Sequence, residues 1–327
     1  MQRRTLVSLT ASMLVAPWAV RVARADGNSG DLDAALRRFE ALPGTKSYLL
    51  HVGPGGSGGR LAKHPDLFLF TASAYKTFVL GQYLRDVEAT WLSEDEQVPI
   101  DDAARMIGSP VFLNLAGTTT ARSVLEAMIT HSDNTATDIA TMKVGADRVR
   151  ALIAQAGLLS IRIPDSTRLF FSYFLGAPVG VDLGWPGIEQ ALRNPPGPLR
   201  PALNNVITLA GDARDFVSWY EQALQGAVFS KPETLIEFKR IQAMSEQIAK
   251  AVPPDTIAYA KGGEFASSDD VNAKSLAGQM VVGGETPTPV TFCFIVNWHG
   301  PLEEFPEVEA EFFAAIQGIL SVVKQSL

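Results

Sequence analysis

The β-forming residues of this chain lie at its two ends, with a long helical middle between them, and that distribution constrains the fold more than any other feature. Near the start, Tyr48, Leu50 and Val52 alternate with Leu49 and His51, the period of a strand. Near the end, Gln279 to Gly283 and Val290 to Trp298 are rich in β-formers. Between them the pattern from Ala72 to Leu158 is mostly helical, with Val124, Leu125, Met128 and Ile129 on one face, and it resumes at Asp212 to Leu224 and Lys231 to Lys250. Amphipathic helices are expected at Asp31 to Ala41 and at Pro306 to Lys324, the latter with Val308, Phe312, Ile316 and Leu320. Strands need partners, so the two ends must meet. The expected class is α+β, with an antiparallel sheet formed by both chain ends, flanking helices and a central all-α region. In domain terms, residues 26–71 and 251–327 form an α/β subdomain and residues 72–250 a helical one. From Asp165 to Pro201 periodicity fails and Gly and Pro accumulate. This predicts a long surface loop, serving as an active-site wall or a flap.

The first residues are read separately. Arg3 and Arg4, the apolar run Leu6 to Val20 and the closing Ala23-Arg24-Ala25 form a signal peptide over Met1 to Ala25. The paired arginines suggest twin-arginine export, and the apolar run is too short for a lasting membrane anchor. Cleavage would leave 24 basic against 35 acidic residues. The whole chain already carries a net charge of −7, which argues against nucleic acid as a partner. A periplasmic or secreted bacterial protein is expected, with a monomer as the simplest state. Cys293 is the single cysteine and the four histidines show no H-x-x-x-H pair. An intrachain disulfide is therefore excluded, and the default site has no metal and no cofactor.

Gly53-x-Gly55-x-x-Gly58 imitates a dinucleotide fingerprint, but the segment that follows, Arg60 to Pro65, ends on proline and opens no helix. The glycines read instead as a hairpin turn. Three other strings carry chemistry. Ser73-Ala74-Tyr75-Lys76 puts a hydroxyl and an amine three positions apart, on one helical face, where the amine can take the hydroxyl's proton. Alone this means little, because Ser321 to Lys324 repeats the pattern within a surface helix. Ser132-Asp133-Asn134 falls at a break between helices, where it serves either chemistry or a helix N-cap. Lys261-Gly262-Gly263 follows Ile257 to Ala260 at the exposed part of a strand, or in a plain β-turn.

In this order the three strings resemble the S-x-x-K, S-D-N and K-T-G motifs of the serine β-lactamase and penicillin-binding protein superfamily, most closely the class A β-lactamases. Phe70 to Lys76 and Met128 to Ala136 are similar to the family beyond the motif letters. The resemblance implies an exported active-site serine hydrolase acylated at Ser73 by β-lactams or by a related peptide, amide or ester. Lys76 would be the base, with its pKa depressed by Lys261, and Ser132 would pass a proton to the leaving nitrogen. Asn134 would hold the substrate's side-chain amide, and Lys261 would attract its carboxylate. Gly263 completes the third motif, and the N–H groups of Ser73 and Glu264 would form an oxyanion hole.

The sequence departs from this family in three places. The E-x-x-L-N glutamate that activates the deacylating water is absent. Alignment of Ser166 to Tyr173 with the R-L-D-R-x-E segment places Phe170 and Phe171 on its Asp and Arg, and Tyr173 on the base. Asp165, Asp182 and Glu189 read as solvated loop charges. Gly262 replaces the K-T-G hydroxyl, whose contact with the substrate carboxylate is worth about 1 kcal/mol. The stretch between Ser132 and Lys261 is long. Slow deacylation is thus one expectation, and two rivals stand beside a β-lactamase: a D-Ala-D-Ala peptidase or esterase, and a non-catalytic penicillin-binding sensor. Lys274 is the nearest downstream cation that could assist anion binding but reads more readily as a surface lysine, Cys293 reads as a small buried hydrophobe, and His131 is set aside because it adjoins Ser132 in the chain.

Overall fold

The computed structural model describes residues 29–267, 270–283 and 287–327. The export signal read at Met1 to Ala25 lies outside them. Helix α1 (Ser29–Glu40) leads into strand β1 (Thr45–Val52), which turns through the glycine cluster into β2 (Gly59–Lys63). The chain then enters the helical layer through β3 (Leu69–Phe70), a 3-10 turn at Ala72–Tyr75, α2 (Lys76–Glu88) and the small hairpin of β4 (Gln97–Ile100) and β5 (Gly117–Thr120). Helices α3 (Ala121–Thr130), α4 (Asn134–Val144), α5 (Ala146–Gln155), α6 (Thr167–Phe174) and α7 (Gly184–Arg193) follow. After β6 (Ala210–Gly211) come α8 (Ala213–Leu224), α9 (Pro232–Gln242) and the short α10 (Ile248–Ala251). The end of the chain supplies β7 (Ile257–Phe265), β8 (Asn272–Val282), β9 (Thr288–Trp298) and α11 (Phe305–Gln325).

The two ends do meet. The five-stranded sheet has the order β2-β1-β9-β8-β7, antiparallel throughout, with Leu50 opposite Phe292 and Tyr48 opposite Phe294 where the ends join. Alternation along β9 divides the core. Phe292, Phe294 and Val296 pack with Phe39 of α1 and Phe312 and Ile316 of α11. Cys293 and Ile295 point the other way, into the core that holds Phe78 and Trp219. Each such ring or branched chain removed from water contributes roughly 1.5–3 kcal/mol. Trp219 Nε1, buried in this core, is paired by donating to Thr77 Oγ1 at 2.8 Å. The strand β7 is left at the sheet edge, facing the helical layer, and the motifs gather there.

One sequence expectation is corrected here. The stretch from Asp165 to Pro201 is not a structureless loop, since it contains α6 and α7. Ser166 caps α6 by accepting the Leu169 N–H at 2.9 Å, and Pro186 sits in the first turn of α7, where its missing N–H costs nothing. Helices of two or three turns leave little periodicity, and the surrounding Gly and Pro mask it. The run Lys231 to Lys250 likewise divides into α9 and α10.

Candidate active site

Ser73 sits in the 3-10 turn that opens α2, after Ala72, whose φ of +47° lies in the left-handed region. Ser132, in the turn between α3 and α4, has a φ of +58°. Both are unfavourable for a residue with a side chain, and such conformations persist where surrounding contacts impose them. Lys76 begins α2 and is completely buried. Its Nζ donates to Ser132 O at 2.5 Å, to Asn134 Oδ1 at 2.7 Å and to Ser132 Oγ at 3.3 Å. Among the described hydrogen bonds none joins it to Ser73 Oγ, so in the free protein the amine is held by the S-D-N turn rather than by the adjacent hydroxyl. Lys261 closes the other side, donating from Nζ to Ser132 Oγ at 3.0 Å and to Gly262 O at 2.6 Å. One hydroxyl thus lies between two amines.

Burial is the main reason both amines lose basicity. It pushes Lys76 well below the ordinary lysine range, and the neighbouring charge of Lys261 lowers it further. Lys261 falls to about 7, chiefly through burial, with Glu264 and Glu246 working against the shift. Lys261 is therefore not on the exposed part of a strand or in a turn, as the sequence reading had it. It is an interior side chain of β7.

The glycine after the next has a steric reason. A Cβ on Gly263 would lie 2.2 Å from Thr71 O and 2.6 Å from Ser73 N, so only glycine lets β7 close on the 3-10 turn. That contact brings the backbone beside Glu264 to the backbone of Ser73, and Ser275 Oγ, which donates to Thr71 O at 2.7 Å, fixes it from the next strand. Asp133 works on structure. Its carboxylate accepts from Ala136 N, Val111 N and Phe112 N at 2.8, 2.9 and 2.9 Å, so it is the N-cap of α4 and a clamp on the preceding loop. The Asn134 amide spans Lys76 and Ile107 O, donating to the latter at 2.8 Å.

The opposite wall is apolar. Phe170 lies 5.6 Å from Phe70 and 6.1 Å from Phe265, and Phe265 also meets Phe174 at 5.2 Å. Tyr173, aligned with the missing base, packs its ring under Arg200, whose Nη1 also donates to Tyr173 O at 2.6 Å. Asp182 pairs with Arg168 at 2.6 Å, and Asp165 pairs with Arg150. The two aspartates are thus ion-paired rather than merely solvated, and Glu189 is exposed on α7. His131 pairs with Glu246 at 3.4 Å.

Sequence reasoning missed three residues. Asp138, buried one turn after Asn134, accepts from Thr167 N at 2.6 Å and Arg168 N at 3.0 Å and so moors α6. Lys274 is no surface lysine: it is fully buried between Glu264 and Glu309, at 2.9 and 2.8 Å. Gln247 lies in the turn before α10 with its side chain against Gly262. A helical spacing from Asn134 could have flagged Asp138; nothing local marks the other two.

No curated protein matches the chain. Among solved structures, a β-lactamase from Sphaerobacter thermophilus superposes with a TM-score of 0.68 at 19% identity, over 91% of this chain and 96% of its own. PBP-A gives 0.67 at 15% identity, over 91% and 97%. A class A β-lactamase from Mycobacterium abscessus gives 0.66 at 12% identity, over 90% and 99%. At such identities the likeness is one of fold. The sequence itself matches the beta-lactamase enzyme family across residues 34–272. By that match the chain belongs to the beta-lactamase enzyme family, within the serine β-lactamase and penicillin-binding protein superfamily, and its architecture is that of the class A enzymes.

Proposed function

We propose that this protein is an exported active-site serine hydrolase that β-lactams acylate at Ser73 and that releases the acyl group slowly. The observation that carries the reading is the continuous chain Lys76–Ser132–Lys261 beside the Ser73 turn, with the basicity of the first amine lowered by burial. In the proposed reaction Ser73 Oγ attacks the lactam carbonyl and Lys76 accepts its proton. The carbonyl oxygen takes the negative charge against the N–H groups of Ser73 and Glu264. When the C–N bond breaks, Ser132 donates its proton to the leaving nitrogen and recovers one from Lys76, leaving an ester on Ser73.

Hydrolysis of that ester needs a base for water. The carboxylates whose charge reaches Lys76 are Asp133, Asp138 and Glu264, and each is already engaged, the first two by backbone N–H groups and the third by Lys274. The aromatic wall offers none. A structure of the same fold, a PBP-A mutant, is an acyl-enzyme complex with penicillin G, which is compatible with long-lived adducts on this scaffold.

Intact-mass spectrometry of the mature protein after mixing with penicillin G tests the reading. A lasting adduct that Ser73→Ala abolishes is expected. An adduct that vanishes as fast as it forms would instead make the protein an efficient β-lactamase, and no adduct at all would overturn the acylation reading. Assaying a D-Ala-D-Ala peptide and an ester beside a chromogenic cephalosporin separates the peptidase and esterase alternatives. Export belongs to the same proposal, and its check is a mature N-terminus at Asp26 in a periplasmic fraction.

A further inference from the structure

Where the family's third motif carries a hydroxyl, this chain has Gly262, and the vacated space is filled. A Cβ built there would lie 1.6 Å from Gln247 Oε1 and 2.7 Å from Gln247 Cδ. Gln247 is 6% exposed, and its Oε1 is buried without a hydrogen-bond partner. A buried acceptor without a donor is unusual, and a Gln side chain carries donor and acceptor on the same terminal group. The amide is also fixed in place. Its segment is tied to the end of α3 by Glu246 N donating to Thr130 O at 3.3 Å, two residues before Ser132. Gly262 O, on the same residue that Gln247 packs against, accepts from Lys261 Nζ. The Gln247 amide and the Lys261 amine therefore both touch Gly262, on the edge strand β7.

We propose that Gln247 is a binding residue for the substrate's carboxylate, taking the place of the hydroxyl that Gly262 lacks. This rests on the acylation reading and names the group that selects for an anionic substrate. A half-turn about Cγ–Cδ exchanges Oε1 with Nε2 and presents an N–H donor at Gly262. The carboxylate then lies between that donor, Lys261 and Ser132. The exchange needs no backbone motion, and the free form pays for it only by leaving Oε1 unpaired.

The test measures acylation rate constants by mass spectrometry for penicillin G and for its methyl ester, which lacks the anion. Wild type acylated by neither compound removes the acylation reading and this one with it, before any variant is made. With acylation in hand, Gln247→Leu, which keeps the bulk, is expected to lose roughly tenfold on the acid and less than twofold on the ester. Gln247→Glu is expected to lose more on the acid and again spare the ester. Gly262→Thr should fail to help, because its Cβ meets Gln247 Oε1 and, at 2.6 Å, the backbone oxygen of Ser275. Equal losses on acid and ester in both single Gln247 variants, or no loss in either, would overturn the proposal, since a packing role makes no distinction between the two compounds.

Discussion

The two walls of the cleft are built on different physics. On one, Lys76, Ser132, Asn134 and Lys261 are joined by hydrogen bonds, and burial of the two lysines makes their charges adjustable. On the other, α6 is held by the rings of Phe70, Phe170, Phe174 and Phe265 and moored at its start by Asp138 and at its end by Arg200. The first wall has every group that making an acyl-enzyme requires. The second is packed aromatic core, and the aspartates beside it, Asp138, Asp165 and Asp182, are engaged by N–H groups or arginines. On the function proposed above, this fold would keep one half of a two-step reaction and replace the other half with packing.

The largest effects should come from the polar wall. Lys76→Met removes the base, and acylation by penicillin is expected to fall on the order of 10³-fold, within the range that general-base removal gives. Thermal unfolding should move downward, because Ser132 O and Asn134 Oδ1 lose the donor that pairs them. A Lys76→Met protein that still acylates at the normal rate would break the division of labour between the walls.

The aromatic wall should answer in stability instead. Phe170→Ala empties a site in contact with Phe70, Phe171 and Phe265 and is expected to cost about 3–5 kcal/mol in urea unfolding. Acylation per folded molecule should remain within about twofold of wild type. If the adduct of Phe170→Ala instead clears faster than that of wild type, the rings are excluding water from the ester, and the wall has a kinetic role that packing alone would not give it.

How far this contrast can be read from sequence follows from where each residue's role arises. Ser73 and Lys76, Ser132 and Asn134, and Lys261 and Gly263 are short strings whose internal spacing is itself the signal. The sheet was legible because β-formers cluster at both ends. Gln247 and Lys274 were not, since one acts through a vacancy created 15 positions later at Gly262 and the other through strand register with Glu264. The helices α6 and α7 were hidden by the glycines and prolines around them. The alignment that set Tyr173 at the base's position could not show its surroundings, because Arg200, which packs over its ring, is not visible as a pattern.

A smaller effect is expected where the walls touch. Asp138→Ala leaves the N–H groups of Thr167 and Arg168 without their acceptor, a loss of roughly 2–4 kcal/mol in urea unfolding. The size should depend on pH. Burial raises the Asp138 pKa to about 6, against the pull of the two N–H groups. A raised acid stabilises the folded state most below its unfolded pKa and loses that contribution as pH rises through the folded value. The gap between wild type and Asp138→Ala should therefore be wider at pH 4 than at pH 7. A gap that widens with pH would mean the carboxylate is charged throughout and the mooring is ionic.

The gentlest probe is pH itself, applied to the two lysines that share Ser132. Lys76 must be neutral to act as base, so acylation should fall as acid protonates it. Lys261 must be charged to hold an anion, and with its pKa lowered to about 7 by burial it loses that charge just above neutrality. Acylation by penicillin G should then rise, pass a maximum and decline by up to about tenfold per pH unit on the alkaline side. The penicillin methyl ester offers Lys261 nothing to attract, so its profile should keep the acid limb and lack the alkaline one. Lys261→Met should likewise abolish the alkaline limb, and because the second cation no longer depresses Lys76, its acid limb should move to higher pH. An alkaline limb that survives with the ester would assign it to a group other than Lys261, and an acid limb that stays in place in Lys261→Met would show that burial alone, without the neighbouring charge, sets the basicity of Lys76.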